Sequence, residues 1–174
     1  NYPIHVKLDT GMHRLGFEQY QIEDLCTAIL QCNSLHISSV FSHLAAADEA
    51  DKDAFTLQQI AGFDGMVARI SECVGYLPDR HILNSAGIER FPAFQYEMVR
   101  PGIALYGVSA VGERALQPIG CWKTTITQIR AVPLDETVGY GRKGVLMADS
   151  VIATLPVGYA DGLHRKMGNR RGGV

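Results

Sequence analysis

Val138-Gly139-Tyr140-Gly141-Arg142-Lys143-Gly144 contains a literal G-x-G-x-x-G, made by Gly139, Gly141 and Gly144. The fold class turns on what these glycines do. A dinucleotide-binding fold needs a strand before them and a helix after them, so that the helix N-terminus meets a pyrophosphate. Here Val145-Leu146-Met147-Ala148 leads into another strand, no helix start follows, and no Lys-Ser or Lys-Thr makes a phosphate loop. In a chain with 18 glycines the match is coincidental. The residue of chemical interest is Tyr140, a phenol between glycines, which we read as a proton-transfer base presented to a cofactor held by the first half of the chain.

The neighbourhood of Tyr140 is β-rich. Cys121–Val132 alternates around Thr125, Ile126, Thr127 and Ile129, and Ser150–Leu155 is a second apolar strand, with Pro133 and Gly139 as punctuation. Val108–Gly120 is small, polar and Pro-containing, the composition of an inter-domain linker. The expected division is residues 1–112 and 113–174.

The first half alternates instead. Ile4–Leu8 predicts a strand, Phe17–Gln31 an amphipathic helix, Leu35–Phe41 a strand, and Asp51–Cys73 a long helix capped by Asp51 or a near neighbour. The inner face of that helix is Phe55, Ile60, Phe63, Val67 and Ile70. Arg80–Leu83 predicts a strand, Ala86–Arg90 a helical turn, and Met98–Val99 and Leu105–Tyr106 very short strands. Strand, helix, strand, helix, strand is the signature of parallel βα units.

The strand ends are polar. Asp9-Thr10-Gly11-Met12-His13-Arg14 comes after the first strand, Ser42-His43-Leu44-Ala45 after the second, Asn84-Ser85 after the third and Arg100-Pro101-Gly102 after the fourth. Loops are polar in general, but donor-rich clusters at successive C-terminal strand ends are where a (β/α)₈ barrel carries its active site.

Composition excludes other classes. A charged fraction of 20% and a net charge of −2 give no basic excess for nucleic acid, and no apolar run reaches the length of a membrane span. Cys26, Cys32, Cys73 and Cys121 form no C-x-x-C and lie beside no His at metal-ligand spacing, so no metal is expected. They are read as reduced thiols of a cytoplasmic protein, Cys26 and Cys73 on buried helix faces. Asn-Tyr-Pro-Ile-His at the start and Gly-Asn-Arg-Arg-Gly-Gly-Val at the end look cut, and the chain is read as a piece of a longer protein.

Lys7-Leu8-Asp9-Thr10-Gly11-Met12-His13-Arg14-Leu15-Gly16, Ser42-His43-Leu44-Ala45-Ala46-Ala47-Asp48 and Asn84-Ser85-Ala86 resemble, in order, the signatures of alanine racemase. So do Val99–Gly107, Val138–Arg142 and Leu155-Pro156-Val157-Gly158-Tyr159-Ala160-Asp161-Gly162. The resemblance implies an α/β fold: the C-terminal half of a (β/α)₈ TIM-type barrel followed by the start of an all-β domain. It implies an isomerase that interconverts L- and D-alanine with pyridoxal 5'-phosphate, supplying D-alanine for cell-wall peptidoglycan. It also implies a homodimer whose active site is shared between subunits.

It further implies roles for single residues. Tyr140 matches the catalytic tyrosine that the partner subunit supplies; such a base needs positive charge nearby to favour the phenolate. Arg100 matches the residue facing the pyridine nitrogen, and His43 would orient it. Asn84, Ser85, Gly102 and Ile103 map to the phosphate end, with a hydroxyl and backbone N–H groups as an anion nest. Arg14 and Tyr159 map to the substrate side, Asp48 with Tyr159 to the entry corridor, and Lys7 to the lysine that is often carbamylated. The plainer reading of Lys7 is an ion pair with Asp9. Asp161 is given only a turn role.

The chain departs from the family pattern in one respect. The lysine that forms the Schiff base should lie upstream of Asn1, and none of Lys7, Lys52, Lys123, Lys143 or Lys166 has its context. The remainder of the β-domain is expected after Val174. This stretch alone is therefore expected to be inactive and to expose barrel strand edges. The alternatives are a racemase of another small amino acid such as serine, a non-catalytic pyridoxal-phosphate-binding barrel protein, and a barrel with a dead site.

Overall fold

The computed structural model describes residues 2–112 and 116–168. The expected domain start at Glu113 and most of the C-terminal glycine run lie outside the described residues. The chain divides into two compact units, Asn1–Gly120 and Cys121–Val174.

The first unit is built on three parallel strands in the order β1-β2-β3: β1 Tyr2–Lys7, β2 Leu35–Phe41 and β3 Asp79–His81. Spatial order follows chain order, so each crossover steps to the next position in one direction, as in a barrel and unlike a doubly wound sheet. The crossovers carry α1 Ile22–Gln31 and α2 Asp53–Val74, and α3 Ser85–Arg90 follows β3. Ile4 pairs with Ile37 and His5 with Ser39, which leaves Ser38 unmatched as a one-residue bulge.

The core lies on the helix-facing side of this sheet. Val6, Leu8, Ile37 and Val40 pack with Ile60, Phe63, Val67 and Ile70 of α2 and with Ile22, Leu25 and Cys26 of α1. Each fully buried side chain of this size contributes about 1.5–3 kcal/mol. The side chains of His5, Lys7 and Ser39 alternate with this set along the strands, as the two-residue period requires.

The elements depart from expectation at their ends. The first strand begins at Tyr2, and Leu8 makes only an isolated bridge to Phe17. Phe17 therefore is not helical: its N–H donates to Lys7 O at 2.9 Å and its carbonyl accepts from Asp9 N at 2.8 Å. A 3₁₀ turn, Gln19–Gln21, precedes α1. Gly16 makes the tight approach possible at φ +118°, where a Cβ would lie 2.8 Å from Leu8 C and 2.9 Å from Asp9 N. Asp51 does not cap α2; it pairs with Lys52 at 3.0 Å, and a 3₁₀ turn at Ala50–Lys52 leads into the helix. Phe55, expected on the inner face, is partly exposed.

Ile82 and Leu83 are buried but not paired, so β3 is shorter than Arg80–Leu83. Met98–Val99 is no strand. Glu97 is held by Arg80 at 2.7 Å, Tyr96 sits at φ 51°, and a single bond from Arg100 N to Leu83 O at 3.0 Å ties the segment to the sheet. Leu105–Tyr106 belongs to a 3₁₀ turn, Ile103–Tyr106, closed by Leu105 N to Gly102 O.

In the second unit β4 Gln128–Val132 pairs antiparallel with β7 Ser150–Thr154, and β5 Thr137–Val138 with β6 Gly144–Val145. Residues 121–127 are not strand; Thr127 alone reaches β7, its N–H and hydroxyl donating to Thr154 O at 2.9 and 3.0 Å. The four cysteines are free thiols; Cys26 is buried and Cys73 half-buried.

Candidate functional site

Arg100 is the centre of the polar cluster. Its Nη1 donates to His81 Nδ1 at 2.5 Å and His81 O at 3.0 Å. Its Nη2 donates to Ser42 O at 2.5 Å and approaches His43 Nδ1 at 3.3 Å and Ile82 O at 3.4 Å. A guanidinium has five N–H donors. The four on the Nη atoms are directed at these acceptors, and Nε–H has none among the described residues. The Arg100 guanidinium also lies 5.3 Å from the Phe41 ring centroid, and Lys7 Nζ lies 5.4 Å from the same ring.

This crowding of positive charge sets the protonation states. Burial, then the charges of Arg100, Lys7 and Arg14, hold His43 below the usual histidine range. Burial, then Arg100 and His5, push His81 down to about 4, against an opposing pull from Asp79. Both imidazoles are therefore neutral near neutrality and can accept from Arg100. Burial followed by Arg100 and Arg14 lowers Lys7, and Asp9 only partly offsets this. Burial of Asp9 raises it, but N–H donation from Gly11, Met12 and His13 at 2.9, 3.0 and 3.1 Å outweighs that. These donors converge on Asp9 Oδ1, and no Lys7–Asp9 ion pair forms among the described residues, so the plainer reading of Lys7 is not supported.

A cavity of about 570 Å³ opens beside Arg100, lined also by His43, Asp48, Asn84, Ser85, Gly102 and Ile103. Such a volume suits a small-molecule cofactor. Asn84 caps α3 by accepting from Gly87 N at 2.9 Å and donates Nδ2–H to Leu44 O at 3.2 Å. Ser85 Oγ accepts from Gly102 N at 2.8 Å and Ala104 N at 3.3 Å. The N–H of Gly102 is thus committed to Ser85 and not free for an anion. The Ser85 hydroxyl hydrogen remains, as does the N–H of Ile103, which opens its turn and has no acceptor within it.

The structure thus brings His43, Asp48, Asn84, Ser85, Arg100, Gly102 and Ile103 around one cavity. Lys7 and Arg14 lie outside its lining but close enough to bias His43. Tyr140 and Tyr159 belong to the second unit. Tyr140 is fully exposed on a 3₁₀ turn, Tyr140–Arg142, between β5 and β6, where Gly139, Gly141 and Arg142 have φ 82°, 65° and 54°. Tyr159 is exposed beside Arg165, whose guanidinium lies 4.2 Å from its ring centroid. Asp161 accepts from Gly158 N at 2.9 Å, in keeping with a turn role.

Two contributors escape the sequence. His81 falls inside a predicted strand, although it too stands at a C-terminal strand end. Gln59, only 1% exposed, accepts from Ala45 N at 2.9 Å and donates to His43 O at 3.2 Å, pinning the loop that carries His43. Its signal is a glutamine midway between Phe55 and Phe63 on the apolar stripe of α2.

Comparison with known proteins gives the setting. Residues 1–110 match the profile of the alanine racemase N-terminal domain and residues 119–174 that of the C-terminal domain. The chain is 38% identical over 177 residues to an alanine racemase of Syntrophobacter fumaroxidans, covering 96% of this chain and 45% of that protein. It is 37% identical over 171 residues to alanine racemase 2 of Caldanaerobacter subterraneus, covering 95% and 44%. A crystal structure of alanine racemase from Streptomyces lavendulae superposes with a TM-score of 0.81 at 31% identity, covering 97% and 46%. One from Bartonella henselae with covalently bound pyridoxal phosphate gives 0.72 at 29%, covering 95% and 45%. The chain spans somewhat under half the length of these relatives. Its fold is theirs in part: βα units of a (β/α)₈ barrel followed by the beginning of a β domain. On these matches, which together run along nearly its whole length, the chain belongs to the alanine racemase family.

Proposed function

We propose that the protein to which these residues belong interconverts L- and D-alanine with pyridoxal 5'-phosphate. The observation that carries the proposal is Arg100, which lines the cavity, whose Nη donors are engaged by His81, Ser42 and His43 and whose Nε–H has no acceptor among the described residues. A group with a hydrogen-bond acceptor on a ring at one end and an anion at the other fits this set, with Ser85 Oγ–H and Ile103 N–H as donors to the anion.

Bound there, the cofactor supplies the electron sink that makes the Cα proton of alanine removable. Arg100 would hold the ring nitrogen as a donor that does not give up its proton. Asn84 keeps α3 and the Leu44 loop in place around the phosphate end. Arg14 and Tyr159 are each assigned to the substrate, Asp48 and Tyr159 each to its entry corridor, and Lys7, carbamylated, would hold Arg14. Tyr140 takes or returns the Cα proton on one face. The opposite face is assigned to a lysine that is none of the five in this chain, so these residues alone do not racemise alanine.

We further place the working form as a homodimer in the cytoplasm, supplying D-alanine for peptidoglycan, with Tyr140 entering the cavity of a second copy. Tyr140 is fully exposed, so its phenol is open to a second copy. The domain boundary is proposed at 112/113, between the stretches matched by the two profiles.

The test is chiral analysis of the full-length protein incubated with pyridoxal phosphate and L-alanine. D-alanine is expected to form faster than D-serine from L-serine. Turnover of serine alone would replace the substrate, and turnover of neither would remove the enzymatic reading.

A further inference from the structure

Barrel interiors are filled mainly by branched apolar side chains. The face of β1–β3 that carries His5, Ser39 and His81 is largely polar instead, with Phe41 stacked on His81 at 4.9 Å. His81 Nε2 lies 3.1 Å from Ser39 Oγ, and Ser39 Oγ lies 2.5 Å from His5 Nδ1. Ser39 and His81 are buried, and His5 is exposed. The bulge at Ser38 produces this alignment, because it brings Ser39 into register with His5.

Chemistry fixes the direction of the links from Arg100 to Ser39. Arginine has no acceptor, so Arg100 Nη1–H donates to His81 Nδ1, and that nitrogen carries no proton. The neutral ring then carries its proton on Nε2 and donates it to Ser39 Oγ. Having accepted there, Ser39 has one hydrogen left to give, and the relay assigns it to His5 Nδ1, the ring nitrogen within reach. A histidine and a serine buried on this face would cost stability unless hydrogen-bonded in this way.

We propose that His5 and Ser39 are positioning residues: with His81 they form a one-way hydrogen-bond relay that selects the Nε2–H tautomer of His81 and so keeps an acceptor in front of Arg100. The opposite tautomer would set N–H against N–H, and the guanidinium would lose one of its two closest anchors. That the aim of Arg100 matters for a ring nitrogen rests on the function proposed above; the relay itself does not.

The experiment is ring ¹⁵N spectroscopy of the histidine-labelled full-length holoenzyme, with the His81 signals assigned by their loss in His81→Gln. The relay predicts a protonated Nε2 and a bare Nδ1 on His81 near neutral pH. Ser39→Ala should mix the tautomers, and Ser39→Thr, which keeps the hydroxyl, should restore them. His5→Leu should shift the His81 signals and His5→Asn, which keeps an acceptor, should shift them less. With alanine as substrate, kcat should fall in Ser39→Ala and His5→Leu at unchanged KM. A protonated Nδ1 in the native protein would overturn the relay, as would unchanged His81 signals in His5→Leu, a variant at an exposed position. Signals that follow the relay in a protein that does not racemise alanine would uphold it while removing the proposed function.

Discussion

Arg100 Nη1 and His81 Nδ1 lie 2.5 Å apart, a contact in which only the arginine can donate. The neighbouring imidazole must therefore stay neutral for the guanidinium to keep its place. Burial and the charge of Arg100 push His81 down to about 4 from its ordinary 6.5.

That depression makes stability depend on pH. Once unfolded, His81 takes up a proton near its ordinary value, while the folded protein resists. The unfolded state thus binds more protons between pH 6.5 and about 4. The contribution of His81 to stability is complete above that window and declines as the pH falls through it. His43, shifted in the same direction, adds to the slope. Urea midpoints measured across this range should fall less steeply in His81→Gln than in the unaltered full-length protein; identical slopes would count against a neutral His81.

Gln59 links α2 to the loop that carries His43 through Ala45 N and His43 O. Gln59→Leu keeps the volume and removes these two bonds and a longer one to Thr10 Oγ1, leaving the part-buried N–H of Ala45 without its acceptor. A loss of about 1–3 kcal/mol is expected, read by chemical denaturation, together with weaker binding of pyridoxal phosphate in a spectroscopic titration. A loss of stability with unchanged cofactor affinity would mean that Gln59 supports the core but not the site.

Gly16 lies where the chain after β1 folds back so that Phe17 meets Lys7 and Asp9. Gly16→Ala would drive a Cβ to 2.8 Å from Leu8 C at a backbone angle of +118°. The neighbours are backbone atoms, which cannot swing aside. A destabilisation of at least about 1–3 kcal/mol is expected, and a thermal midpoint equal to that of the unaltered protein would contradict the close approach.

Much of this architecture is legible in the residues because burial imposes periodicity. Leu35–Phe41, rich in Ile, Val and Ser, has limits that coincide with β2 despite the bulge at Ser38, and Ile60, Phe63, Val67 and Ile70 recur at helical spacing along α2. Element ends are less legible, since partners set them: Phe17 is drawn out of α1 by the backbone of Lys7 and Asp9. The cavity residues can be found as polar clusters after strands. His81 and Gln59 cannot be found that way, because each sits inside an element and acts through a partner distant in sequence, Arg100 and Ala45 respectively. The position of Tyr140 between glycines is legible, and the positive φ values of Gly139 and Gly141 give that pattern its physical reason.

The role of Tyr140 as one of two bases is probed without intermediaries by Tyr140→Phe in the full-length holoenzyme. The measurement is exchange of the Cα proton of L- and D-alanine with deuterated solvent, beside turnover in both directions. Turnover is expected to fall by about 10²–10⁴-fold while cofactor absorbance survives. Exchange should be lost for one enantiomer and persist for the other, on the face where the remaining base stands. Unchanged turnover, or equal retention of exchange for both enantiomers, would contradict a two-base site with Tyr140 on one face.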